Sequence, residues 1–255
     1  MLLEMIHRIV IPSYKRSEVI NQKTLSYLHK CNIPLNIVDV FVSDEKQLKE
    51  YKNNCKFKEV NFIIGGKNIT EQRNIIHTKY PDGSLILSMD DDIDEMQINK
   101  NNKLIPFYSL KELSSIAQNE MNKNNTKICG IYPVANHFFM KNNISTNLKY
   151  IAAGFYFFLA EQDNRLLVEL EDKEDFERSI KYFIKYNSVV RLEMITMKTK
   201  FYKGSGGLQA TRTEERIKKS AMYLAAKYPN YCKMNTGKKT GFAEVRLINK
   251  KNENN

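Results

Sequence analysis

The sequence predicts an α/β fold in which a mostly parallel central sheet is flanked by helices. Short apolar runs alternate with amphipathic stretches through the first half of the chain, and aromatic-rich strands follow from about residue 128. This alternation is typical of βαβ units, because parallel neighbours need a crossover connection. With 255 residues and 42% hydrophobic content, the chain can bury a full core of one domain or slightly more.

Each element follows from its apolar period. Residues 8–12, "RIVIP", predict the first strand, and residues 17–31 predict a helix with Ser17 as its N-cap. Later short apolar runs are predicted strands, and longer runs with helical spacing are predicted helices. These are a strand at 36–43, a helix around 45–54, a strand at 60–65, a helix at 69–80, a strand at 84–89, aromatic-rich strands within 128–134 and 150–160, and a helix at 174–187.

Several protein classes are disfavoured by composition. The N-terminus has charges within its apolar run and no small-residue cleavage site, so it does not resemble a signal peptide. The longest apolar run, 150–160, is far shorter than the roughly 20 residues that span a bilayer. The four cysteines are widely separated, which favours neither a zinc site nor a disulfide framework. We expect a soluble cytoplasmic protein without a transmembrane segment, and a viral or phage protein inside a host cell fits the same expectation.

Positive charge is concentrated near the C-terminus. The net charge is +11, and residues 198–250 hold 13 Lys and Arg against three Glu, a net charge of +10. Such a block is either a solvated basic face or a surface for a polyanion. We therefore expect a main domain at 1–197, a basic C-terminal extension packed on it at 198–250, and a disordered tail at 251–255.

Three adjacent carboxylates, Asp90, Asp91 and Asp92, directly follow the strand predicted at 84–89. Ligands of open α/β sheets bind beyond the carboxyl ends of the strands, so these residues lie where a ligand is expected. Adjacent carboxylates repel one another and lose hydration when a buried strand holds them, which predicts a positive group nearby. That group could be Mg²⁺ or Mn²⁺, held by one or two carboxylates and by the phosphate oxygens of a substrate. The alternative is a solvated acidic turn.

Two other acidic motifs do not fit. An EF-hand loop starting at Asp90 needs Gly where Glu95 stands and Glu where Asn101 stands. A P-loop needs G-x-x-x-x-G-K-[ST], and "TGKKTG" at 236–241 lacks its first Gly and the Ser or Thr.

Five stretches in order resemble the GT-A glycosyltransferases over residues 8–192. They are "IVIPSYKR" at 9–16, "VFVSD" at 40–44, "GGKNITEQRNIIHTKY" at 65–80, "LILSMDDD" at 85–92 and "EDFERSIKYFIKYNSVVRL" at 174–192. The pairs Arg73-Asn74 and Glu174-Asp175 are similar to recurring features of the inverting branch. The resemblance implies a GT-A fold, Rossmann-like with a smaller acceptor-side subdomain, and a nucleotide-sugar bound through a metal on a D-x-D motif.

The resemblance also implies roles for individual residues. Asp90 and Asp92 would hold Mn²⁺ or Mg²⁺, and the donor would be a UDP-sugar, with UDP-glucose preferred. Arg16 could instead be a surface charge, and Arg73 could pair with Glu71 or another acid. The residues expected against the donor are Pro12, Ser13, Tyr14, Arg16, Asp44, Arg73, Asp90 and Asp91.

An inverting transfer needs a carboxylate that takes the proton of the attacking hydroxyl, while a metal stabilises the leaving diphosphate. We predict Asp175 as this base, although "ELEDKEDFE" at 169–177 contains other acids that could serve, namely Glu169, Glu171, Asp172 and Glu174. An acidic first turn that favours the helix dipole is the alternative interpretation of Asp175.

The acceptor is predicted from the C-terminal stretch 200–241. Its glycines permit close backbone approach, and its cations interleave with tyrosines as nucleic-acid surfaces often do. The combination resembles the glycosyltransferases associated with TET/JBP oxygenases, of the base J type, which implies a hydroxymethylated pyrimidine in DNA as acceptor. Tyr223 and Leu224 lie at helical spacing from Ile217 and could be core. The candidate acceptor or phosphate contacts are Lys203, Gly206, Gly207, Arg212, Arg216, Lys218 and Lys219.

Other functions remain open at the sequence level. A glycosyltransferase for a surface glycan or lipid would also use basic residues, for peripheral contact with anionic membranes. A nucleotidyltransferase would share the metal carboxylates, although "IPSYKRSE" at 11–18 lacks the Gly-rich loop of that class. A DNA-binding module without activity would leave the aspartates unexplained.

Overall fold

The computed structural model describes residues 6–199, 213–235 and 244–248. Its helices are α1 (Ser17–Gln22), α2 (Thr24–Lys30), α3 (Glu45–Asn54), α4 (Ile69–Lys79), α5 (Leu110–Lys123), α6 (Glu174–Tyr186) and α7 (Glu214–Lys227). Its strands are β1 (Arg8–Pro12), β2 (Val38–Val42), β3 (Asn61–Ile64), β4 (Leu85–Met89), β5 (Glu95–Lys100), β6 (Lys103–Phe107), β7 (Ile128–Tyr132), β8 (Ile144–Ser145), β9 (Phe155–Leu159), β10 (Val190–Lys198), β11 (Cys232–Asn235) and β12 (Glu244–Leu247).

Most strands form one mixed sheet in the order β3-β2-β1-β4-β9-β7-β10-β5-β6, with β8 beside β10. β1, β2, β3 and β4 are mutually parallel neighbours, and β7 is parallel to β10. β9 runs antiparallel to both β4 and β7, so β4, β7 and β10 point the same way. The carboxyl ends of these three strands therefore lie at the same edge as those of β1 and β2. The α/β architecture with a mostly parallel sheet is confirmed.

Helices cover both faces of the sheet, because alternate residues of the central strands belong to different cores. On β1, Ile9 and Ile11 pack in the core under α1, α2, α3 and α5, whereas Val10 packs in the core under α4 and α6. On β9, Phe157 and Phe158 divide in the same way. Burial on both faces explains why these strands are continuous apolar runs in the sequence.

A third, smaller core holds α7 and the β11–β12 hairpin against α6. Ile217 is 7% exposed and Leu224 is fully buried, and α7 packs in this core with Ile180 of α6. Tyr223, by contrast, is 37% exposed. The described part of the basic extension is therefore anchored by apolar packing against α6. Within the described residues, no helix combines the length and apolarity that crossing a membrane requires.

The predicted helix at 17–31 is interrupted at Lys23, which separates α1 from α2. Ser17 is the first helical residue rather than the N-cap, which is Arg16, and the Ser17 hydroxyl donates to Glu50. The β5–β6 hairpin was not predicted from the sequence. Its turn contains Asn101 and Asn102 at φ of 50° and 59°, a conformation that Asn tolerates better than most residues.

Candidate functional site

The candidate site lies beyond the carboxyl ends of the parallel strands. Asp90, Asp91 and Asp92 follow β4 directly, as the sequence predicts. The β1 strand ends beside them at Pro12, and β10 ends nearby, since the Asp94 N–H donates to the Lys198 carbonyl at 2.9 Å. Strands distant in sequence thus bring their ends to one edge.

Three basic side chains neutralise this acidic segment. Arg16 contacts Asp91 at 2.8 Å and Asp92 at 3.2 Å, and Arg73 Nη2 lies 3.0 Å from Asp90 Oδ1. Lys23, at the break between α1 and α2, lies 3.2 Å from Asp94. The positive charge that the aspartates require is therefore supplied in part by the protein itself.

Asp91 is a buried anchor between the loops that follow β1 and β4. Its Oδ2 accepts the Ser13 hydroxyl at 2.5 Å, its Oδ1 accepts Arg16, and Ser13 also bonds the Tyr51 hydroxyl at 2.7 Å. Burial raises the pKa of Asp91, and Arg16 opposes this rise. Ser13 and Asp91 are 3% and 5% exposed, so we expect their side chains to position the loop rather than contact the donor.

Asp90 is more open, with 41% of its side chain exposed. Surrounding protein still desolvates this carboxyl and raises its pKa to about 6, with Arg73 acting in the opposite direction. The backbone is fixed on both sides, because Asp90 N–H donates to the Gly154 carbonyl at 2.9 Å and Thr24 donates to the Asp90 carbonyl at 2.7 Å.

Asp92 is held by residues from two distant segments. Thr199 donates to its Oδ1 at 2.8 Å, and Arg16 lies against its Oδ2. Its side chain remains 20% exposed. The two carboxylates of the D-x-D pattern thus reach solvent, while the aspartate between them is turned inward.

The open carboxylates fit a hard divalent cation, which prefers oxygen ligands. A Cβ on Gly154 would lie 3.3 Å from Asp90 Oδ2 and 2.4 Å from Met197 Cε, so the glycine keeps space beside this oxygen. Among the described residues, no group of three His, Cys, Asp or Glu is arranged around a common metal position. The expected site needs only Asp90 and Asp92, with phosphate oxygens completing the coordination, and it stays a prediction.

Arg73 lies behind Asp90 in a buried polar cluster, and its side chain is 3% exposed. It donates to Ser88 Oγ at 2.7 Å and to the Ala153 carbonyl at 3.2 Å. Its Nε lies 3.3 Å from Glu174 Oε1, so its acidic neighbours are Asp90 and Glu174 rather than Glu71. Arg73 therefore acts as a bridge between the β4 edge and the start of α6.

Asp175 is the second residue of α6, next to Glu174. Its Oδ2 accepts the Tyr150 hydroxyl, and its Oδ1 accepts the Phe176 N–H at 3.0 Å. The Tyr150 and Phe176 rings stack with centroids 4.3 Å apart. The half-buried carboxylate is thus held in one orientation near the helix N-terminus, as a positioned proton acceptor would be.

The other residues expected against the donor flank this edge. Pro12 is buried at the end of β1, Tyr14 is half-buried, and Lys15 Nζ lies 5.1 Å from the Tyr14 ring centre. Asp44 is exposed and caps α3 by accepting the Gln47 N–H at 2.9 Å. Hydrogen bonds from Ser43 and Gln47 lower the pKa of Asp44.

The residues predicted to bind the acceptor are only partly described. Lys203, Gly206, Gly207 and Arg212 lie outside the described residues.

The three other candidate cations lie on α7. Arg216 pairs with Asp172 at 2.5 Å and with Glu171 at 3.4 Å. Lys219 pairs with Glu215 at 2.8 Å on the exposed face of α7, where Lys218 is also exposed. The ion pairs of Arg216 connect α7 to the acidic segment before α6, so Arg216 stabilises the position of α7.

Sequence reasoning missed several residues that support the site. Tyr51, Thr199 and Tyr150 each contact a predicted residue, but they are 38, 107 and 25 residues away from it in the chain. The sequence shows Lys23 as a basic residue within the predicted helix 17–31, but it gives no sign that the helix is interrupted there.

The mostly parallel central sheet with helices on both faces has the GT-A, Rossmann-like architecture. No protein-family model matches this chain, and no curated protein matches it. Several solved structures share the architecture. One described as a mycobacterial protein has a TM-score of 0.51 and 7% identity, and the match covers 95% of this chain and 83% of that chain.

Two further structures are similar at lower scores. S. aureus TarS 1-349 has a TM-score of 0.49 and 16% identity; the match covers 86% of this chain and 65% of that one. The Mycobacterium tuberculosis glucosyl-3-phosphoglycerate synthase, solved with Mn²⁺, UDP and glucosyl-3-phosphoglycerate, has a TM-score of 0.49 and 7% identity, with 95% and 86% covered. At these identities the similarity shows the fold alone.

Proposed function

We propose that this protein is a metal-dependent inverting glycosyltransferase that moves a sugar, preferably glucose from UDP-glucose, to a hydroxyl acceptor. One observation carries the proposal: Arg73 joins the candidate metal carboxylate Asp90 to Glu174, whose neighbour Asp175 is the candidate base. Donor activation and proton removal require these two groups at one place. UDP and Mn²⁺ in the crystals of the structural neighbours are consistent with this donor chemistry.

The roles of the residues follow from their contacts. A bound Mn²⁺ or Mg²⁺ would neutralise the leaving diphosphate as a Lewis acid. Asp90 and Asp92 would hold this cation, while Arg16 and Thr199 fix the orientation of Asp92. Asp175 would accept the proton of the attacking hydroxyl, since Tyr150 holds its carboxylate in place.

For the acceptor, we favour a hydroxymethylated pyrimidine in DNA. The net charge of +10 in residues 198–250 supports a polyanion. Both flanks of the undescribed stretch 200–212 contact the site region: Thr199 bonds Asp92, and Arg216 pairs with Asp172 near the candidate base. A base in a duplex would have to be flipped out, at a cost of a few kcal/mol.

A lipid-linked or glycan acceptor is the second candidate, and a specific surface favours it. The loop after β7 exposes Val134, Phe138 and Phe139, which are 53%, 81% and 68% exposed. Because β7 is parallel to β10 and antiparallel to β9, this loop leaves the sheet at the aspartate edge. Exposed apolar side chains on a chain that also has a basic segment suit an anionic membrane surface.

The test is to incubate the protein with Mn²⁺ and a panel of UDP-sugars, with and without hydroxymethylated DNA, and to measure UDP release. Acceptor-dependent UDP release that is lost in Asp92→Ala supports the proposal. Release of pyrophosphate from a nucleoside triphosphate would instead indicate a nucleotidyltransferase, and no turnover of any donor would contradict both.

DNA is tested separately by salt. Each duplex phosphate contact contributes a slope of roughly −0.9 to log affinity against log salt, and we expect about three to six contacts. Replacing Lys218 and Lys219 by Gln should flatten the slope without destabilising α7, because both side chains are exposed. Adding Arg216→Gln should flatten it further if Arg216 contacts phosphate, and a thermal melt shows what the loss of its ion pair with Asp172 does to α7. Salt-independent activity on a free glycan, with vesicles binding in place of DNA, would remove DNA from the account.

A further inference from the structure

Glu174 lies between two arginines in the buried cluster behind the site. Its Oε1 is 3.3 Å from Arg73 Nε, and its Oε2 is 2.6 Å from Arg178 Nη1. Its side chain is 6% exposed, equal to that of Arg178. The Arg178 guanidinium lies 4.1 Å from the centre of the Tyr156 ring, which fixes its other face.

The ion pairs of this cluster join two cations to two acids, and one of these acids is Asp90. Arg73 and Arg178 are two cations, and Glu174 and Asp90 are the acids that face them. Arg73 contacts both acids, so its positive charge is shared between a buried carboxylate and a half-open one. Nη2 of Arg73 faces Asp90 and Nε faces Glu174, so the guanidinium is held between the two acids and is not drawn onto Asp90 alone.

We propose that Glu174 is a positioning residue that draws the charge of Arg73 away from Asp90 and so leaves Asp90 able to bind a divalent cation. Without Glu174, Arg73 would be paired with Asp90 alone, and it would compete with the cation for the same carboxylate. The buried acid also adds negative potential behind the cation position. This inference rests on the proposed function, because it assumes that Asp90 binds the metal.

The test measures UDP affinity by calorimetry with Mn²⁺ and with EDTA, for the wild type and for Glu174→Gln. Losing a buried negative charge weakens Mn²⁺ binding and favours binding of metal-free UDP. The ratio of the UDP affinity in Mn²⁺ to the UDP affinity in EDTA should therefore fall by on the order of tenfold. Glu161→Gln is the matched control: Glu161 also lies between two cations, Lys127 at 3.3 Å and Lys185, and it should leave the ratio unchanged.

Arg178→Met distinguishes charge sharing from simple damage to the cluster. With Arg178 absent, Glu174 has Arg73 as its remaining cation in the cluster, and Asp90 is released further. The ratio should therefore stay the same or rise in Arg178→Met while it falls in Glu174→Gln. A methionine can still pack on Tyr156, and circular dichroism and a thermal melt show whether each variant folds.

The outcomes separate the two levels of the account. If wild-type UDP affinity does not depend on Mn²⁺, the proposed function fails. If the wild type shows metal dependence and Glu174→Gln keeps the full ratio, the inference is overturned. It is also overturned if Glu174→Gln and Arg178→Met lower the ratio equally. If Glu174→Gln does not fold, Glu174→Asp is measured in its place. Because Asp keeps the negative charge, its affinity ratio should lie nearer to the wild-type value than to the tenfold loss. A full tenfold loss in Glu174→Asp would overturn the inference.

Discussion

Replacing Arg16 by Gln should destabilise the protein by an amount that its contacts define. Arg16 is 12% exposed and contacts Asp91, which is 6% exposed, at 2.8 Å. Removing one partner of a buried pair costs about 3–5 kcal/mol, because the other charge stays buried. Ser13 still donates to Asp91, so we expect the lower end, about 3 kcal/mol.

The assay is urea denaturation in EDTA, which prevents a metal from replacing the lost charge. In the double variant Arg16→Gln/Asp91→Asn no buried charge is left unpaired, so its loss should be only about 1 kcal/mol. Arg165 supplies the control, because its side chain is 78% exposed and its partner Asp163 keeps Lys185, so Arg165→Gln should cause little loss. A double variant that is less stable than Arg16→Gln would refute the reasoning that Asp91 needs Arg16 to remain buried.

Three further outcomes follow from the site and from α4. Asp175→Asn should keep donor binding and lower turnover by about 10² to 10⁴, the usual contribution of a general base; normal turnover in transfer assays would assign the role to another acid. Tyr150→Phe keeps the ring stacked on Phe176 but removes the bond to Asp175, so kcat should fall while UDP affinity stays constant. Burial lowers the pKa of His77 to about 4, so as pH falls the unfolded protein takes up a proton on His77 before the folded protein does. The free energy of unfolding should therefore fall between about pH 6.5 and pH 4, by at most about 3 kcal/mol. Urea midpoints of His77→Phe should not show this loss.

The first half of the fold could be predicted from sequence because its strands are buried on both faces. β1, β2 and β4 are mostly apolar, with Asp39 and Ser88 as buried polar exceptions, and the predicted strand ends lie within a few residues of the observed ones. α5 and the β5–β6 hairpin were not predicted. The hairpin strands are partly exposed and rich in polar residues, so they give no clear apolar pattern. Where a strand has no clear apolar face, its period carries little signal.

The location of the site was predictable, whereas its internal organisation was not. Three carboxylates after a buried strand indicate an edge where ligands bind, and this needs only local sequence. That Asp91 turns inward to Ser13 and Tyr51 depends on contacts between segments far apart in the chain. A single sequence does not contain this pairing, so Asp91 and Asp92 look equivalent until the structure separates them.

The most direct test of the central claim is a crystal structure of the protein grown with UDP and Mn²⁺, with anomalous diffraction collected for manganese. The account predicts one manganese peak within bonding distance, about 2.1 Å, of a carboxylate oxygen of Asp92 or Asp90, with the diphosphate of UDP on its other side. UDP bound at this edge without manganese, or manganese bound away from both aspartates, would contradict a metal-dependent transferase built on this strand end.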